Sequence, residues 1–237
     1  MSGYVHSFES LAAVDGEGLR YAVFLAGCPM RCICCHNPDT WFFNEGTMVD
    51  AKTLSDKVSR YKPYFSQKGG VTFSGGEPLC QAEFINETAQ YLDKQGIKYA
   101  LDTSGCVSLT TQVKTALSNA ELVILDLKFW DEESYVKYTG YSIRNTLDVL
   151  DYLESIGKRV WIRTVIIPGI NDTKEHMDKY LVHLRDKACI EKYELLSFHT
   201  MGFFKYENLG IENPLKETKA LSVDTQNMLQ NYVNNVL

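Results

Sequence analysis

The 237-residue sequence has no apolar run of the ~18 residues needed to cross a bilayer. Its first residues lack the apolar stretch of a secretory leader. Neither a membrane protein nor an exported one is expected. Basic charge is short too: 24 Lys and Arg stand against 30 Asp and Glu, for a net charge of −6. That balance offers no broad electrostatic footprint for nucleic acid. No internal repeat, low-complexity segment or linker interrupts the chain. With 45% hydrophobic residues it can close one sizeable core, so a single domain spanning 1–237 is expected. Seven cysteines, an odd number with no leader, point to a reducing compartment and a cytoplasmic protein. Three of them, Cys80, Cys106 and Cys189, are scattered and read as small buried apolar residues.

The other four crowd into Gly27-Cys28-Pro29-Met30-Arg31-Cys32-Ile33-Cys34-Cys35-His36-Asn37. Cys28, Cys32 and Cys35 follow the spacing Cys-x3-Cys-x2-Cys, which suits three thiolates around one small iron cage. A 4Fe–4S cluster held this way lacks a fourth protein ligand, and an open metal position is where a substrate binds. Structural zinc is the alternative, with Cys34 or His36 as its fourth ligand. Cys34 and Cys35 are adjacent and project in different directions, so both ligating one cluster is not expected.

Elsewhere the chain alternates β and α patterns, the mark of a parallel sheet with crossover helices. Strands are expected at Arg20–Leu25, Gly70–Ser74, Tyr99–Leu101, Leu122–Leu127, Arg159–Ile167 and Tyr193–Leu196. Helices are expected at Ala51–Tyr61, Ala82–Gln95, Gln112–Asn119, Ser134–Tyr138, Ile143–Ser155 and Lys174–Lys187, with a last one from Asp224. Six βα units leave a barrel open where eight would close it. The fold class is therefore α/β, a partial and open (β/α)6 barrel. Its chemistry belongs at the C-terminal ends of the strands, where the candidate residues fall. One of these strands ends in Asp126-Leu127-Lys128. A charged pair after an apolar run costs desolvation unless it is used or paired. Asp102, ending the neighbouring strand, could join Asp126 as a general acid/base pair. Arg163 sits among apolar neighbours, and a salt bridge to Asp126 is one reading of it.

The cysteine spacing resembles the signature of the radical S-adenosylmethionine (SAM) superfamily. His6-Ser7-Phe8-Glu9-Ser10, Val14-Asp15-Gly16-Glu17-Gly18-Leu19-Arg20 and Cys35-His36-Asn37-Pro38-Asp39-Thr40-Trp41 narrow the likeness to the activating enzymes of pyruvate formate-lyase. It runs from about Tyr4 to about Lys205. The resemblance implies reductive cleavage of SAM at the cluster, giving methionine and a 5′-deoxyadenosyl radical. That radical would take a hydrogen from a backbone glycine of pyruvate formate-lyase or a related glycyl-radical enzyme. A flavodoxin or ferredoxin would supply the electron. No cysteine-rich insertion lies between Cys35 and Val71, whereas activases of several other glycyl-radical enzymes carry extra clusters there. A small-molecule radical SAM enzyme and a plain metal-binding module remain as other readings.

The resemblance also implies site roles. Cofactor contacts fall to Cys34, Cys35, His36, Gly75, Gly76, Glu77, Asp126, Leu127, Lys128, Arg163 and His199. Glu77, in Gly75-Gly76-Glu77-Pro78, would face the SAM ammonium, though an ordinary turn entering a helix looks the same. Lys128 would meet the carboxylate or ribose of SAM, and His199 the adenosine. Cys34 stands where the family often has an aromatic residue near the adenine. A monovalent cation on Asp102, Thr103 and Asp126 is implied as well, since hard oxygens suit it. Asp15-Gly16-Glu17-Gly18 would lie near the incoming glycyl-radical peptide, with Glu17 where relatives often have Pro.

Overall fold

A computed structural model describes residues 1–65 and 67–236. Among these, eight strands form one sheet: β1 (Ser2–Ala12), β2 (Arg20–Leu25), β3 (Thr47–Asp50), β4 (Gly70–Gly75), β5 (Tyr99–Thr103), β6 (Leu122–Asp126), β7 (Val160–Ile166) and β8 (Ile190–Ser197). Their order is β3-β1-β2-β4-β5-β6-β7-β8. From β2 to β8 every pairing is parallel, and these six are the strands that the apolar runs predict. The sheet does not close on itself: β3 and β8 are its edges. The antiparallel pair β1 and β3 was not expected from sequence. β1 carries His6, Ser7, Glu9 and Ser10 with mixed burial, and β3 is mostly exposed, so neither shows clean alternation.

The helices are α1 (Ala51–Ser59), α2 (Ala82–Asp93), α3 (Thr111–Asn119), α4 (Glu132–Thr139), α5 (Ile143–Ser155), α6 (Lys174–Leu181), α7 (Phe203–Leu209) and α8 (Val223–Asn234). Side-chain caps start most of them. Asp50, Thr110, Asp131, Ser142, Thr173 and Ser222 each accept a backbone N–H of the first turn. α6 stops at Leu181, short of the expected Lys187. Cys106 and Cys189 are buried as expected, but Cys80 is exposed. It lies in a single 3-10 turn over Pro78–Gln81, buried at Pro78 and Leu79 and open to solvent at Cys80.

Side chains alternate across a strand, so each strand feeds two compartments. One face packs under the helices as the main core. The other carries a small apolar cluster of Ala100, Leu122 and Ile124, with Trp161 against it. Two residues further along, the same faces of β5, β6 and β7 present Asp102, Asp126 and Arg163. The concave side thus runs from an apolar middle to a charged upper end.

Arg20 seals the lower end. It is fully buried and bonds Thr72 Oγ1 at 2.9 Å, the Lys68 carbonyl at 3.0 Å, the Val71 carbonyl at 2.6 Å and Glu121 at 2.7 Å. Arg20→Met should therefore lower the unfolding free energy by about 3–5 kcal/mol, because it strands one carboxylate and several carbonyls. Urea unfolding checks this; an unchanged midpoint would contradict it.

Candidate active site

The cysteine segment follows β2 and has no regular structure. Other loops hold its backbone. Gly27 N–H donates to the Thr40 carbonyl at 2.8 Å and Cys28 N–H to that of Trp41 at 3.2 Å. Arg31 and Ile33 N–H donate to the last turn of α4, at Thr139 and Tyr138. The Gly27 carbonyl accepts Glu77 N–H at 2.8 Å. Only glycine fits where these loops cross: a Cβ on Gly76 would stand 2.4 Å from the Gly27 oxygen, and Gly75 has φ +114°.

α7, which the sequence does not signal, grips the far side. Lys205 Nζ bonds Asn37 and Asp39, and Tyr206 OH donates to the Cys35 carbonyl at 2.9 Å. Tyr206 also packs edge-on against Trp41.

These loops enclose a cavity of about 180 Å3 at the C-terminal ends of the strands. Cys28, Cys32, Cys34, Cys35 and His36 of the cysteine segment line it. So do Ser74, Gly75, Gly76, Asp102, Ser104, Asp126 and Lys128 at or near the strand ends. Ser74, Ser104 and Trp41 were not singled out by sequence, and no signal in their local spacing marks them. All four cysteines are free thiols. Among the described residues, no three His, Cys, Asp or Glu side chains gather closely enough for a metal ion. Three thiols lining one cavity, Cys28, Cys32 and Cys35, are the donor type that holds iron–sulfur clusters. His36 Nε2 is buried without a partner, an orphan polar atom awaiting a ligand that can hydrogen-bond.

The electrostatics fit a site completed by metal. Burial pushes the thiols of Cys32 and Cys35 up, and Cys34 to about 11. Cys28 is held below its usual range by a hydrogen bond with Cys106. Lys128 opposes the rise at Cys32, Cys34 and Cys35, and a bound metal would displace the remaining protons. Burial disfavours the charge on Lys128, but Asp126 and the nearby cysteines outweigh it and hold it protonated. Burial, then His199 and Lys128, lowers His36 to about 4, so its ring is neutral near pH 7. It lies 3.9 Å, centroid to centroid, from His199.

Four expected cofactor contacts do not line the cavity: Glu77, Leu127, Arg163 and His199, the last packed against His36. Glu77 is fully buried behind the cavity wall, on Thr103 and Ser104. Leu127 is in the core, as its apolar side chain favours. Arg163 is aligned with Asp126 in register, but its guanidinium pairs with Glu194 at 2.9 Å and donates to the Val14 carbonyl. Thr72 Oγ1 donates to the Asp15 carbonyl and Arg20 to that of Glu17, so the Asp15–Gly18 loop is pinned from inside the barrel. Gly16 and Gly18 there have φ of +130° and +69°.

Residues 14–145 match the family described as a 4Fe-4S single cluster domain. The chain is 41% identical over 236 residues to the pyruvate formate-lyase-activating enzyme of Clostridium pasteurianum, covering 99% of this chain and 98% of that one. It is 37% identical to that of Staphylococcus epidermidis, covering 99% and 96%. The chain belongs to the pyruvate formate-lyase-activating enzyme family. As a family member it is a radical SAM enzyme. Its fold is shared with a domain of pyruvate-formate lyase-activating enzyme from Bacteroides vulgatus (TM-score 0.58, 22% identity, 71% of this chain and 94% of that one). It is shared too with Streptococcus suis SuiB bound to the precursor peptide SuiA (TM-score 0.67, 15% identity, 88% and 43%). Among the described residues no helix is long and apolar enough to cross a membrane.

Asp102 gives this family member's site a pH signature. Burial and the neighbouring Asp126 raise it to about 6, above the ordinary aspartate value of 3.8. The folded chain then keeps a proton that the unfolded chain has already released, so ionising Asp102 costs stability as pH rises from about 4 through 6. In the ligand-free protein, Asp102→Asn should be more stable than wild type by roughly 2–3 kcal/mol at pH 7, with the gap closing towards pH 4. Urea midpoints across that range measure it; a gap that widens on acidification would reverse the sign.

Proposed function

We propose that the cavity binds SAM beside a 4Fe–4S cluster held by Cys28, Cys32 and Cys35, and that the chain generates the glycyl radical of pyruvate formate-lyase. The observation that carries this reading is the shared wall. Three cysteines at the family spacing line one cavity at the strand ends together with Gly75, Gly76, Asp102, Asp126 and Lys128. When bound, the cluster supplies one electron to the SAM sulfonium, which breaks into methionine and a 5′-deoxyadenosyl radical.

The chain's own residues do the rest. Lys128 donates one N–H to Asp126 and keeps two donors and its positive charge for the SAM carboxylate. Gly75 and Gly76 let backbone approach the cofactor closely. Neutral His36, backed by His199 at 3.9 Å between ring centroids, offers a partly apolar surface for the adenine, and Cys34 lines the same cavity. A monovalent cation is assigned to Asp102 and Asp126, whose carboxylates face the cavity; Thr103 can add its carbonyl, because its hydroxyl is engaged by Glu77. The glycine to be activated reaches the cavity through the unclosed side of the barrel, past the pinned Asp15–Gly18 loop. A flavodoxin or ferredoxin delivers the electron.

Cys28→Ala, Cys32→Ala and Cys35→Ala should each lose cluster iron and SAM cleavage, while Cys34→Ala keeps its iron. Iron and sulfide analysis of anaerobically reconstituted protein decides the ligand set. Loss of iron from Cys34→Ala, with retention in one of the other three, would overturn it. The function itself is tested by incubating the holoenzyme anaerobically with reductant, SAM and pyruvate formate-lyase. A glycyl radical in the electron paramagnetic resonance spectrum is expected. SAM cleavage with no protein radical would favour small-molecule chemistry.

A further inference from the structure

Glu77 follows the glycines that line the cavity, yet its carboxylate turns away from it. The side chain is fully buried. It accepts five hydrogen bonds: Leu79 N–H at 3.0 Å, Thr103 Oγ1 at 2.5 Å, Ser104 N–H at 2.9 Å, Ser104 Oγ at 2.6 Å and, more weakly, the Cys106 thiol at 3.9 Å. A carboxylate has about four lone-pair sites, so these donors fill it. Among the described residues no basic side chain pairs with it. Meanwhile its backbone N–H holds the Gly27 carbonyl at the root of the cysteine loop. One residue therefore ties the end of β4 to the cysteine loop on one side and to the end of β5 on the other. The tie continues outward, since the Ser104 carbonyl accepts Thr146 Oγ1 of α5 at 2.8 Å. Asp102 and Ser104, which flank Thr103, both line the cavity.

We propose that Glu77 is a positioning residue that does not touch SAM: it clamps the Thr103–Ser104 loop against the cysteine loop and so sets where Asp102 and Ser104 face the cofactor. The proposal rests on the reading of the cavity as the SAM site. Its test separates a clamp from a direct ammonium contact by a thermodynamic cycle. Wild-type and Glu77→Gln holoenzymes are titrated anaerobically with SAM and with its deamino analogue, which lacks the ammonium. Amide hydrogen exchange of residues 102–107 is followed in the same proteins without ligand.

A clamp weakens SAM and the deamino analogue by the same factor, roughly tenfold for one charged hydrogen-bond set. It also speeds exchange at the Ser104 amide. Ser104→Ala, which removes only the hydroxyl, should weaken both ligands equally and by less, and it serves if Glu77→Gln fails to retain iron. A penalty seen with SAM and absent with the deamino analogue would overturn the proposal, as would unchanged exchange at Ser104. If wild-type holoenzyme binds neither ligand, the SAM reading of the cavity falls, while the exchange measurement still reports on the clamp.

Discussion

The cysteine loop has to hold three soft ligands in place without a helix or strand of its own. Backbone groups in such a segment need partners, and here they come from other loops and from the last turn of α4. The tightest constraint is the crossing of Gly27 and Gly76, where carbonyl and backbone meet with no room for a side chain. Around that crossing the ends of β2, β4 and β5, the last turn of α4 and the hydroxyl of Tyr206 converge. The cavity exists because these ends are tied to one another. Disturbing one tie would be felt by the thiols and by the strand-end carboxylates together.

The same economy shapes the barrel interior. Its middle is a small apolar layer, its lower end is sealed by Arg20, and its upper end collects Asp102, Asp126, Lys128 and Arg163. Burial opposes the charges of Asp102, Lys128 and Arg163, and each is offset in part by an opposite neighbour or a hydrogen bond. Asp102 is the least compensated, with Ser74 and the more distant Arg163 on its side against Asp126. An added cation or the ammonium of SAM would relieve it. That links cofactor binding to the electrostatics of the empty chain without any movement of the fold.

Much of this was legible in the sequence because it is local. Apolar runs marked the six parallel strands. The cysteine spacing marked the loop, and strand ends marked where Asp102 and Asp126 would stand. What stayed hidden depends on partners far along the chain. Glu77 looked like a ligand for an ammonium, since its motif says nothing about the hydroxyls of Thr103 and Ser104 some 26 and 27 residues away. Arg163 was expected at the cofactor, with a salt bridge to Asp126 as the other reading, but Glu194 and the Val14 carbonyl take its guanidinium. β1 hid behind mixed burial, and α7 was too short to show a period.

On the proposed reading, SAM bound in this cavity takes a hydrogen from a glycine backbone. Isotope transfer tests it most directly. Pyruvate formate-lyase deuterated at its glycine α-carbons is incubated anaerobically with the reduced holoenzyme and SAM, and 5′-deoxyadenosine is isolated for mass spectrometry. The account predicts one deuterium in the 5′-deoxyadenosine. Cleavage of SAM that yields only unlabelled 5′-deoxyadenosine would contradict it.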